Sequence, residues 1–389
     1  MISTTRPLRQ HAVSSIDQVL SIITQNGPFD ANLAASIVNN TPSNVVDTVS
    51  EVLQSIPKFF FQSTPSISID QQKTFRRHRK PKQKSNKIPC QVSHRDPNKV
   101  ELGLKKAFDF FYWVETQLGF IHNEKTCREM ACLLARGNKL NSLWNFLEEM
   151  SRRESKELVT TATITCLIKV LAEEEGLVDE ALSAFARMKQ FNCTPDVCVY
   201  NTIIYVLCKH AMKTDCRKAI RRRLSDVNYL FRMMIHKGFI PNVVTYNSVI
   251  DCCCKTLRIE WAVELFDDMK KRGCHPNWFT YNSLIRYYTR FNEIDKAIEM
   301  LREMQKDGGF ESAGTMIYTP IIHGLCKVGR LFDARNFLIE LVDGGCVPKE
   351  DTFMLVSDLL YKVGEPDLLD DEIRQRIKDG IKNKSIKRS

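Results

Sequence analysis

Arg136, Lys209, Lys255, Arg290, Lys327 and Lys362 recur at nearly regular intervals through a chain of 389 residues, in a series broken only by Glu174. Eight residues before four of them stand small hydrogen-bonding side chains, Asn201, Asn247, Asn282 and Thr319. Cations held at a fixed spacing suit a polyanion, and a side-chain amide presents both a donor and an acceptor to a polar partner. Lys and Arg also complement the macrodipole at helix C-termini. Recurrence at one register in six of seven places nevertheless favours a ladder of positive charge.

The chain offers little for catalysis. His122-Asn123-Glu124 matches the His-x-Glu half of a zinc deaminase signature, but the Pro-Cys-x-x-Cys half is absent. Gly-rich phosphate loops and Gly-x-Ser-x-Gly are absent too. The 14 cysteines include no Cys-x-x-Cys, and Cys252, Cys253 and Cys254 are adjacent, so on a helix their side chains fan out. We expect no catalytic residue, no metal site and no cofactor.

The elements that must position these residues repeat at a 35-residue step. Val197 begins Val-Cys-Val-Tyr-Asn-Thr, Val243 begins Val-Val-Thr-Tyr-Asn-Ser and Trp278 begins Trp-Phe-Thr-Tyr-Asn-Ser. Units set at Glu124, Ala162, Val197, Val243, Trp278, Thr315 and Glu350 place Ala181, Ala262, Ala297 and Ala334 at the twentieth residue. Met150, Met188, Met269, Met304 and Leu341 fall at the twenty-seventh. In the Val243 unit, Tyr246, Val249, Ile250 and Cys253 form one apolar stripe of helical period, and Ala262, Leu265, Phe266 and Met269 form a second. Gly and Pro then end the second helix, as in Gly273-Cys274-His275-Pro276-Asn277. A helix hairpin with so small a core must stack on its neighbours, which predicts an all-α solenoid.

These motifs resemble the pentatricopeptide repeat family, and the absence of appended domains resembles its P class. The resemblance covers residues 124–389, with a degenerate half repeat over 99–123, and implies a right-handed α-solenoid of helix-turn-helix units. It also implies that the fifth and last residues of each unit read one base of single-stranded RNA. By that resemblance the base-reading residues are Asn201, Asn242, Asn247, Asn277, Asn282 and Thr319. Asn201 with Asn242 and Asn247 with Asn277 would prefer pyrimidines, whereas Asn282 with Gly314 and Thr319 with Lys349 depart from the usual pairs. Val244 and Phe279, second in their units, would flank a base, and Lys209, Lys255, Arg290 and Lys327 would contact phosphate. The Val197 unit runs 46 residues, with its surplus near His210 to Ile220, and reads equally as an extended turn bearing a basic arm or as two fused repeats.

The net charge of +10 is concentrated locally. Lys73 to Lys87 holds eight Lys and Arg residues without an acid, Arg217 to Arg223 holds five, and Arg374 to Ser389 holds seven with one acid, leaving the rest net acidic. Arg6 and Arg9 precede the first acid, Asp17, in a Ser- and Thr-rich start that predicts an organelle transit peptide within residues 1–40. The expected location is the mitochondrion, with the chloroplast as the alternative. Residues 41–98 read as a small helical segment with a basic linker. The expected partner is single-stranded organellar RNA, bound for processing, stabilisation or translation; a scaffold for protein partners is the alternative. No apolar run is long enough to span a membrane.

Overall fold

The computed structural model describes residues 21–23, 45–62, 95–153, 157–174, 176–307 and 314–386. The expected import segment up to Ile16 and the basic run from Lys73 to Lys87 lie outside them. Every regular element among the described residues is a helix, and the chain divides into two compact units, Met1–Pro195 and Asp196–Ser389.

In the first unit α1 (Val45–Phe60) packs against α2 (Pro97–Leu118) and against α3 (Glu124–Arg136), which pairs with α4 (Leu140–Arg152). Helix α5 (Thr161–Glu173) packs on α3 and on α6 (Val178–Ala186), followed by a 3-10 turn, Met188–Phe191. The segment expected to be a half repeat is therefore one partner of a complete hairpin layer, whose other helix, α1, lies upstream across residues 61–96. Phe60 and Phe61 are buried in that layer while Phe59 is exposed. Gly103 is required there, because a Cβ would stand 2.6 Å from Phe60. Lys106 is buried beside Phe60 and donates from Nζ to the Ile23 carbonyl at 2.6 Å; burial pushes its pKa down.

The second unit stacks α7 (Val197–Lys213) with α8 (Arg217–His236), α9 (Val243–Lys255) with α10 (Ile259–Lys271), α11 (Trp278–Arg290) with α12 (Ile294–Lys306), and α13 (Gly314–Lys327) with α14 (Leu331–Asp343). Helices α15 (Glu350–Val363) and α16 (Asp371–Ile386) follow. Each odd-numbered helix packs on the odd-numbered helix of the next layer, the side-by-side arrangement of an α-solenoid. Two helices, α5 and α13, begin one residue before the expected unit starts.

The recurring Thr-Tyr-Asn-Ser motif is explained by what each residue does at the helix start. Asn242 and Asn277 are N-caps whose Oδ1 accepts from the backbone N–H groups two and three residues on, and the Thr245 and Thr280 hydroxyls accept from the cap N–H. In the first unit Asn123 accepts from the Thr126 N–H alone, and the Thr126 hydroxyl accepts from the Asn123 N–H. Tyr246, Tyr281 and Tyr318 come next, fully buried, and donate at 2.6, 2.6 and 2.8 Å to Asp268, Asp307 and Glu340, which lie on the paired helix or, for Asp307, at its C-cap. The repeated alanines Ala181, Ala262, Ala297 and Ala334 are wholly buried, as a close helix crossing requires. Turns between paired helices use the left-handed region at Asn138, Leu257, Asn292 and Gly329.

The long unit proves to be a single hairpin. Its two helices have 17 and 20 residues where α9 and α10 have 13 each, so the surplus is helical and there is neither an extended turn nor a second repeat.

Candidate nucleic-acid interface

Asn247 sits one turn into α9, where its Nδ2 donates to Asn277 Oδ1 at 3.1 Å and its Oδ1 accepts from Thr280 Oγ1 at 2.5 Å. The same triangle recurs one layer earlier. Asn201 Nδ2 donates to Asn242 Oδ1 at 3.3 Å and its Oδ1 accepts from Thr245 Oγ1 at 2.5 Å, so the long unit preserves its pairing. The cap bonds fix which amide atom is oxygen, because backbone N–H groups need an acceptor. The amide nitrogens of Asn242 and Asn277, both exposed residues, are left without a protein partner among the described residues. Each pair thus presents donors to solvent from a frame held rigid by helix capping. Val244 and Phe279 are exposed beside these pairs.

The third and fourth positions expected to read a base differ. Asn282 is buried, its Oδ1 lacks a partner among the described residues, and Gly314 has no side chain to answer it. A Cβ on Gly314 would stand 2.2 Å from Cys346 Sγ, so only glycine fits. Thr319 spends its hydroxyl on the Thr315 carbonyl at 2.7 Å.

Towards the C-terminal ends of the same helices, Lys255, Arg290 and Lys327 line a groove of 620 Å³ together with Thr319 and Lys349. Lys255 is partly neutralised by Asp251 at 2.7 Å, whereas Arg290 and Lys327 make no ion pair among the described residues. Lys209 lies outside this groove, half-buried, with its ammonium 5.9 Å from the Tyr205 ring centre. In the first unit the acid that breaks the series, Glu174, is gripped by both guanidinium nitrogens of Arg95, which also caps the Arg136 carbonyl.

Sequence reasoning missed Arg286 and His323, which line the groove beside Met316. Arg286 falls midway between Asn282 and Arg290, one turn from each, so all three share one helix face. Met316 stands second in its unit, the register expected to flank a base, and like Val244 and Phe279 it is exposed.

The remaining candidate groups lie mostly in the core. His122 is buried and stacked on Phe111, with Nε2 2.9 Å from the Phe111 carbonyl and Nδ1 3.2 Å from Thr126 Oγ1. Burial lowers its pKa, against the opposing carbonyl bond. Cys252, Cys253 and Cys254 are buried, and burial raises the Cys253 and Cys254 thiols. Cys132 and Cys166 approach to 3.6 Å between sulfurs; the bond between them lowers Cys166 to about 7 and, with burial, raises Cys132. No group of three or more metal-ligating side chains occurs among the described residues.

Comparison with known proteins agrees with this architecture. Models of the PPR repeat family match residues 159–209 and 241–288, and PPR repeat models match 272–305 and 316–346. A pentatricopeptide repeat-containing protein of Arabidopsis thaliana is 48% identical over 419 residues, covering 95% of this chain and 90% of the relative. The chain therefore belongs to the pentatricopeptide repeat family. A second Arabidopsis thaliana member, named as mitochondrial, is 27% identical over 169 residues, covering 43% of this chain and 28% of that protein. Among solved structures, the maize pentatricopeptide repeat protein PPR10 in complex with an 18-nt psaJ RNA element aligns at 17% identity with a TM-score of 0.48, over 94% of this chain and 43% of that one. No helix among the described residues is long and apolar enough to cross a membrane.

Proposed function

We propose that this chain binds single-stranded RNA along the first helices of its repeats, as a P-class member of the family, and acts in mitochondrial RNA processing, stabilisation or translation without catalysis of its own. The observation that carries this reading is the duplicated Asn triangle, Asn201 with Asn242 and Asn247 with Asn277, which offers rigid donors one layer apart. One amide pair per layer suits one base per repeat. The basic groove formed by Lys255, Arg290 and Lys327 lies on the same helices and suits the phosphate backbone. Mitochondrial placement is supported by relatives named as mitochondrial, and the RNA partner by PPR10, whose structure was solved with an 18-nt psaJ RNA element bound. Sequencing RNA recovered with the purified protein, beside a Lys255→Glu/Arg290→Glu/Lys327→Glu variant, tests the reading. Enrichment of a defined RNA segment with the native chain alone is expected. Equal recovery with the variant, or recovery of protein partners without RNA, overturns it.

A further inference from the structure

The helices of the long hairpin exceed those of the next layer by four and seven residues, which at 1.5 Å per residue carries its tip about 6 to 10 Å further. That extension is strongly basic. Lys213, Arg217, Lys218, Arg221 and Arg222 are exposed on it, with Asp215 the one exposed acid between Lys213 and Arg222. Arg223, by contrast, turns inward and pairs with Asp226.

This charge works against the helix that bears it. Arg217 and Arg221, and Lys218 and Arg222, are like charges one turn apart. The first turns of the equivalent helices α10, α12 and α14 hold Glu260, Asp295 and Asp333, whereas α8 has no acid there and begins with Arg217 and Lys218. Residues added in helical register, exposed and mutually repelling, contribute little to folding, and a site that breaks local rules points to function.

We propose that the extended hairpin is a basic finger that grips the phosphate backbone of the bound RNA beyond the groove. The proposal rests on the RNA-binding reading. The tip stands at the same end of its hairpin as Lys209, so a strand crossing that edge meets it. Arginine dominates the patch, as suits phosphate oxygens. The contacts carry no base information and act through charge alone.

The test is Arg217→Gln/Lys218→Gln/Arg221→Gln in the full chain, with RNA affinity measured across a salt series. If the three residues contact phosphate, the slope of log affinity against log salt flattens by about two units, near 0.7 per contact. Base preference stays as in the native protein, and the melting temperature does not fall, because repulsion has been removed. Arg217→Lys/Arg221→Lys keeps the native slope. An unchanged slope in the triple variant, with RNA binding intact, overturns the finger alone, whereas failure of the native chain to bind any RNA overturns the function it rests on.

Discussion

The amide of Asn247 serves two masters, the neighbouring helix start and, in the proposed reading, an RNA base. Asn247→Thr shortens its reach and should move preference at one RNA position from pyrimidine towards adenine. By analogy with mismatches in DNA sites the change is about 1 to 3 kcal/mol. Selections on randomised RNA with both proteins in parallel check it, and coincident base profiles would return Asn247 to a purely structural role. Glu340 gives a second prediction at this scale. Burial raises its pKa, but the bonds from Arg302, Gln305 and Tyr318 together outweigh burial and hold it below its ordinary 4.5. A depressed carboxylate binds its proton later in the folded state than in the unfolded one. Its stabilisation is therefore complete above pH 4.5 and is lost as pH falls through the lower folded value. Glu340→Gln should flatten the acid limb of melting temperature against pH, and an unaltered limb would contradict the assignment.

At the scale of elements, the turn residues between paired helices carry a local flaw. Asn138, Asn292 and Gly329 tolerate the left-handed region, but Leu257 occupies it at φ 63 with half of its surface exposed. Leu257→Gly should stabilise the chain by about 1 kcal/mol in denaturant titration; a loss of stability would mean that the Leu257 side chain packs usefully. Legibility differed among these elements for physical reasons. Asn247 and Lys255 could be read because their residue types recur at their registers. Arg286 shares their face, but its register holds Tyr205, Asp251, Arg286 and His323, a recurrence of orientation without recurrence of type. The pairing of Val45–Phe60 with Pro97–Leu118 was hidden by the long segment between them, since contact order leaves no periodic trace. The two readings of the 46-residue unit were equal in sequence because helix continuation through His210 to Lys213 and a loop of the same polarity look alike.

For the whole molecule, the expected import can be tested apart from binding. Fused to a fluorescent protein, residues 1–60 should send it to mitochondria; diffuse cytosolic fluorescence would remove the import claim and leave the repeat architecture untouched. Within each stack, neighbouring layers share their stabilising contacts, so a change at one boundary acts on both sides of it. The capping asparagines at these boundaries have a further consequence. Asn242 and Asn277 end one repeat and begin the helix of the next, so the letter that would specify a base is also a structural hinge pin. Rewriting it is cheapest within the capping residues, Asn, Asp, Ser, Thr and Gly; Ala there forfeits about 0.5 to 2 kcal/mol of helix stability, and Lys349, at the equivalent position, starts its helix without a side-chain cap bond. If these residues do specify bases, a repeat array of this design carries its own spelling rules, and a variant changes its message most cheaply in words that the scaffold can pronounce.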